Sequence, residues 1–374
     1  MGNTGLAWSI KKIDWILVGA IILLLIIGIL SIASISEART GAFVIFKKQL
    51  IFAVIGLALL FLFSFIDYRF LRNYSAVVLA LYFISIILLI FLFVFGSRIR
   101  GATSWFRFGS LSGGLGFEPV EIAKFALIAL LAKYFSGRHI DFGLIRHIFI
   151  SGFYVFIPTL LILLQPDFGS ATLIIAIWVG MMLISGIRIR HLLIILMIFS
   201  ILAGIGWGFF LKDYQKARIL TFLAPTKDPL GQGYNVNQSI IAIGSGGFWG
   251  KGLGHGSQSQ LNFLPEQHTD FIFATIAEEW GFFGISSILI LWGIIFWRLF
   301  ITAMGATTNF ARLFIFGFMI LLLAHISINI GMNIGFFPVT GIPLPLLSYG
   351  GSNLITMLAT FGIIQNIKIN SDVR

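Results

Sequence analysis

Long apolar blocks separated by short polar breaks fill the chain from near its start to its end. They lie at 15–36, 49–66, 75–95, 119–135, 146–164, 170–186, 191–211, 271–297, 313–336 and 350–367. Each is close to the roughly 20 residues that cross a bilayer as a helix. The pattern predicts an all-α fold: a polytopic integral membrane protein of one domain, 1–374, with ten transmembrane helices and a long outer loop between spans 7 and 8. The first block follows Lys11 and Lys12, exceeds the length of a signal-peptide core and has no clear small-residue cleavage site after it. It is expected to be an uncleaved span.

Composition agrees. Of 374 residues, 58% are hydrophobic, 40 are Phe and only 10% are charged, more apolar surface than a soluble core could hide. The net charge is +11, yet Lys and Arg fall singly between apolar blocks. That points to anionic headgroups and diphosphates and away from nucleic acid. Cysteine is absent, so disulfides and thiolate metal sites are excluded.

An even number of spans puts both termini on one side, and Lys11, Lys12, Lys368 and Arg374 mark that side as cytoplasmic, because cytoplasmic flanks carry an excess of Lys and Arg. Arg69, Arg72, Lys133, Arg138, Arg146, Arg188, Arg190, Arg298 and Arg312 then also face inward, while Arg39, Lys47, Lys48, Arg98, Arg100 and Arg107 run against the rule. Outside lie 96–120, the turn 165–169, the connection 212–270 and the stretch 337–352. A connection of roughly 60 residues is far longer than an ordinary loop, so function is expected there. Short ordered helices at the membrane surface are predicted within it.

The candidate chemistry collects on that face. Asp270 ends a polar run, Leu264 to Asp270, where the chain enters the eighth span. A carboxylate partly removed from water there suits a general base, although Thr269 or Asp270 could equally cap the helix. Glu121 and Lys124 are one turn apart at membrane depth, where such residues face a cavity or each other. Glu278 and Glu279 raise the same question with no basic neighbour in sequence. Asp167 follows Pro166 and is expected to cap a helix. Residues 338–351 are too broken for a helix and too apolar for a solvated loop, so they should dip into the membrane beside a wet cavity. Glycines between Gly244 and Gly256 fit no phosphate-loop spacing, and the six histidines show no zinc pattern.

Four blocks carry a resemblance. Leu264-Pro265-Glu266-Gln267-His268-Thr269-Asp270-Phe271-Ile272-Phe273 with Ala277-Glu278-Glu279, Gln165-Pro166-Asp167-Phe168-Gly169, Glu121-Ile122-Ala123-Lys124, and Gly341-Ile342-Pro343-Leu344-Pro345 through Ser348-Tyr349-Gly350-Gly351-Ser352 resemble blocks of the SEDS family of peptidoglycan glycosyltransferases. The runs 241–247 and 256–261 look like its elongation (RodA-like) branch rather than its division (FtsW-like) branch. Three positions depart from the family pattern: Glu118-Pro119-Val120-Glu121 stands for Gln-Pro-Ser-Glu, Thr103 and Ser104 for a basic pair, and Asn353 for a small residue.

The resemblance implies polymerisation of lipid II into β-1,4 glycan with release of undecaprenyl diphosphate, for cell elongation and shape. Asp270 is then the catalytic base. Lys124, held by Glu121, and Arg218 would face the diphosphate, and Asp167, Glu266 and Ser348 would bind or position substrate. No cofactor is certain, and a divalent cation such as magnesium or manganese could share the charge. The implied setting is the inner membrane, beside a class B penicillin-binding protein (a transpeptidase) and other elongation-complex membrane proteins. A flippase for lipid-linked precursors is the alternative, since many spans around a polar cavity also suit a transporter.

Overall fold

The computed structural model describes residues 12–37, 42–99, 102–108, 115–137, 145–188, 232–261, 263, 264 and 266–371, with isolated positions between 190 and 216. Most of the seventh predicted span, and Arg218, lie outside the described residues. Long helices dominate: α1 (Trp15–Glu37), α2 (Ala42–Phe65), the short α3 (Arg69–Asn73), α4 (Ser75–Phe95), α5 (Pro119–Ser136), α6 (Ile145–Leu164) and α7 (Phe168–Ile184). After the sparsely described stretch come α8 (Gln232–Ser245), the short α9 (Ser257–Gln260), α10 (Ile272–Gly305), α11 (Asn309–Asn333) and α12 (Gly351–Ser371). Six of these, α1, α2, α4, α6, α10 and α11, are long and apolar enough to cross a membrane.

Boundaries shift where side chains override hydropathy. The second helix begins at Ala42, ahead of the expected 49, and takes in Lys47 and Lys48. Lys47 lays its ammonium over the Phe43 ring, an arrangement that lets a cation ride at the end of an apolar helix. α10 continues past 297 because Arg298 is neutralised: its guanidinium meets Asp14, 2.7 Å away at the start of α1. Lys368 of α12 reaches the same carboxylate at 3.0 Å, and the Gln365 amide is bonded to both backbone groups of Asp14. The start of α1 is thereby clasped to α10 and to the last turns of α12.

A small antiparallel sheet, β1 (Ser97–Ile99), β2 (Ala102–Phe108) and β3 (Leu115–Phe117), was not predicted. It joins α4 to α5 and pairs Phe106 with Phe117. Its signal was the aromatic run Trp105-Phe106-Arg107-Phe108, which favours a pleated surface but is too short to show a period.

α10 is broken at Gly281, whose φ of 63° only glycine adopts freely. The turn after α8 repairs the break. Lys251 and Gly252 donate their amides to the Glu278 and Glu279 carbonyls at 3.0 and 2.9 Å, and Phe282 and Phe283 donate theirs to Gly247 and Phe248. Backbone groups freed by the kink thus find partners in another segment, as groups buried at membrane depth must. The approach is so close that a methyl on Gly250 would run into the Glu279 carbonyl.

Candidate functional site

The start of α10, the polar side of α11, the irregular stretch 337–350 and the first turns of α5 and α7 converge. α10 begins one residue beyond Asp270. Phe271 holds the N-cap position and its side chain makes no capping bond, which leaves Asp270 outside the helix, buried at 7% exposure. The preceding turn pivots on Glu266, which adopts a left-handed φ of 55°. Its carbonyl accepts the amides of Thr269, Asp270 and Phe271, and its carboxylate accepts the Thr269 hydroxyl at 3.3 Å.

Three residues on α11 brace this turn, and sequence reasoning missed them. His325, Asn329 and Asn333 recur every four residues in an otherwise apolar helix, a spacing that stacks them on one face. All three are fully buried. Asn329 donates to the Asp270 carbonyl at 3.1 Å and to the Ile342 carbonyl at 2.8 Å. Asn333 donates to the same Asp270 carbonyl at 3.0 Å and accepts the Ala274 amide at 3.3 Å. The stripe itself was the available signal, because three polar side chains on one face of an apolar span need partners there.

The stretch 337–350 closes over Asp270 from the other side. Ser348 donates its hydroxyl to the Thr269 carbonyl at 2.6 Å and accepts the Leu344 amide at 2.8 Å, so it braces the loop. Tyr349 donates its amide to the His268 carbonyl at 2.8 Å. Gly341, at a left-handed φ of 75°, faces the Asp270 carboxylate; a Cβ there would sit 3.7 Å from Oδ2.

On α5, Lys124 is the largest fully buried side chain described. Its ammonium pairs with Glu121 at 2.7 Å and lies 3.4 Å from Nε2 of His325. The His325 Nδ1 in turn lies 3.2 Å from the Pro343 carbonyl. Asp167 caps α7 by accepting the Ser170 amide at 3.0 Å, as its position predicted. The β2 hydroxyl of Ser104 lies 3.5 Å from the Asp167 carboxylate, and Ser352 accepts the Glu118 amide at 3.0 Å. Two of the three departures therefore touch the site. Burial first, then the Glu121 carboxylate, push the Glu118 carboxyl well above its ordinary range, with Lys124 pulling the other way. Asn353 is buried with its amide nitrogen unpartnered among the described residues.

Glu278 and Glu279 do not join Asp270; they hold the long connection. Glu278 accepts Lys251 Nζ at 2.9 Å, the amides of Gln258 and Ser259 at 2.9 and 3.2 Å, and the hydroxyls of Ser257 and Ser259. Glu279 accepts the Ser34 hydroxyl and the Gly254 amide. No group of three or more His, Asp or Glu suited to a metal ion occurs among the described residues. A cavity of about 400 Å³ lined by Arg69, Arg72, Asn73, Thr307 and Thr308 lies elsewhere. Thr308 caps the start of α11, 17 residues and about 25 Å of helix from His325. Basic groups and the Asp270 site therefore sit toward opposite ends of α11.

A family model described as a cell cycle protein, that of FtsW, RodA and SpoVE, matches residues 11–372. The chain belongs to this family. Peptidoglycan glycosyltransferase MrdB of Escherichia coli (strain K12) is 42% identical over 287 residues, covering 77% of this chain and 76% of that protein. Stage V sporulation protein E of Bacillus subtilis (strain 168) is 36% identical over 366 residues, covering 95% and 96%. A chain solved in a study of how a peptidoglycan synthase complex coordinates polymerization and crosslinking superposes with a TM-score of 0.81 at 35% identity, covering 96% of this chain and 98% of that one. The rod shape determining protein RodA of Thermus thermophilus superposes at 0.70 with 30% identity, covering 95% and 96%. With six apolar helices long enough to cross a membrane among the described residues, this FtsW/RodA/SpoVE protein is a multi-pass membrane protein.

Proposed function

We propose that this chain is a peptidoglycan glycosyltransferase that polymerises lipid II into β-1,4 glycan and releases undecaprenyl diphosphate, in the service of cell elongation. Relatives are named peptidoglycan glycosyltransferases, and the observation that carries the reading here is Asp270, held by its backbone at the mouth of α10. A diphosphate leaves without needing a proton donor, so the reaction needs one base and a cation. Asp270 takes the proton from the acceptor sugar hydroxyl, a role worth about two to four orders of magnitude in rate. Lys124, fixed by Glu121, receives the developing diphosphate charge. Arg218 is assigned the same task, while Glu266, Asp167 and Ser348 position the substrate-facing loops.

The finer topology belongs to the same proposal: one domain with ten spans, inner-membrane placement, both termini cytoplasmic and Asp270 on the outer face. It is supported by the separation of Arg69, Arg72 and the Asp14 clasp from the Asp270 site. That clasp ties α1, α10 and α12 together at one end, which favours an enzyme over a flippase that must open both ends. Likeness to a chain from a synthase complex that coordinates polymerization with crosslinking supports a crosslinking partner, here a class B penicillin-binding protein, with other elongation-complex membrane proteins around it. The test is purified protein with labelled lipid II and no membrane compartment. Polymer is expected from the parental chain and none from Asp270→Asn; parental-rate polymer from the variant would overturn the assignment, and translocation without polymer would favour the flippase.

A further inference from the structure

We propose that His325 is a positioning residue that aims the Lys124 ammonium, acting as a neutral imidazole with its proton on Nδ1. The inference rests on the reading of Lys124 as the diphosphate contact. The Pro343 carbonyl is an acceptor only, and it lies 3.2 Å from Nδ1. The hydrogen of that bond must therefore come from Nδ1, which leaves Nε2 as a bare acceptor. Lys124 has donors only, and its Nζ lies 3.4 Å from Nε2. The two contacts fix one tautomer and one direction: the ammonium donates to the imidazole, and the imidazole donates to the backbone.

The arrangement answers a need that Glu121 alone leaves open. One carboxylate contact at 2.7 Å fixes a distance but lets a flexible four-carbon side chain swing about it. A second acceptor fixes direction. A second carboxylate would do so while cancelling the charge that the leaving diphosphate needs, whereas a neutral imidazole orients the ammonium without adding negative charge. With two of three ammonium hydrogens engaged, the third is aimed. His325 also joins the two halves of the site. It lies one turn, about 6 Å along α11, from Asn329, which grips the Asp270 carbonyl, and its own Nδ1 is tied to the same 337–350 stretch that covers Asp270.

The experiment compares His325→Leu, which removes both bonds, with His325→Gln, whose amide can donate to the carbonyl and accept from the ammonium. Full-length proteins, matched for folded fraction, are assayed for lipid II polymerisation, and 15N-histidine spectra of the parental chain and Lys124→Gln are recorded in nanodiscs. His325→Leu is expected to lower kcat about 10- to 100-fold, the scale of a misplaced group near 1 Å, while moving KM less than about threefold, because aim matters most to charge that develops during the reaction. His325→Gln is expected to recover most of the loss. The parental His325 should show a protonated Nδ1 and an unprotonated Nε2 whose resonance moves in Lys124→Gln. Full activity in His325→Leu, no recovery in His325→Gln, or a protonated Nε2 would each overturn the proposal. If the parental chain makes no polymer, the glycosyltransferase reading fails by itself, and the spectra still decide the tautomer and the Lys124 contact.

Discussion

Asn329 donates from one side-chain amide to the backbone carbonyls of both Asp270 and Ile342, so a single residue of α11 bridges the proposed base and the stretch that covers it. Asn329→Ala withdraws the donor to Ile342 and one of two donors to Asp270. A buried carbonyl left unpaired costs about 1–3 kcal/mol. Glycan synthesis should fall at least about tenfold through kcat, as expected when a catalytic group drifts from its near-attack position. Steady-state lipid II polymerisation checks this, and an unchanged kcat would show that Asp270 is held by other means.

The repaired break in α10 predicts a stability defect far from the chemistry. Gly250 lies against the Glu279 carbonyl at a φ of 78°, so Gly250→Ala meets both a clash and an unfavourable backbone region. Overpacking of this kind costs about 1–3 kcal/mol, and the left-handed backbone adds about 1–2 kcal/mol. A lower thermal unfolding midpoint in detergent is expected, whereas Gly244→Ala, in helix α8 with open space around it, should not lower the midpoint.

Glu278 tethers the connection that precedes Asp270, with Lys251 as its ionic partner. Glu278→Gln keeps the shape but replaces one of two acceptor oxygens with a donor group facing other donors. Loss of charged hydrogen bonds of about 1.5–3 kcal/mol each should loosen residues 251–261. Trypsin cleavage at Lys251 in micelles should be faster in the variant, and equal cleavage rates would count against the tether.

The Asp14 clasp predicts an acid-sensitive contribution to stability. Burial alone would raise the Asp14 carboxyl, but hydrogen bonds from Arg298 and Lys368 outweigh it and hold the group below its ordinary value. A depressed carboxylate stabilises the fold above the pKa of the unfolded chain, near 3.9, and loses that contribution as pH falls through the folded value. At pH 7, Asp14→Asn should therefore melt at a lower temperature than the parental chain. The gap should close only when pH drops below about 4; a gap that closes nearer pH 6 would assign the effect to another group.

Apolar blocks alone located most of the long helices, and the motif blocks named Asp270, Glu121, Lys124 and Asp167 before any contact was known. Hydropathy reports which solvent a segment prefers, and that preference is local, so sequence carries it. What sequence left open was the identity of each partner. Lys251 finds Glu278 across 27 residues, and Asp14 finds Gln365 across 351. Asn329 reaches Asp270 across 59, and His325 completes Lys124 across 201. In a membrane interior buried backbone groups must be satisfied within the protein, but which group answers is decided by how helices pack, and packing is a property of the whole chain.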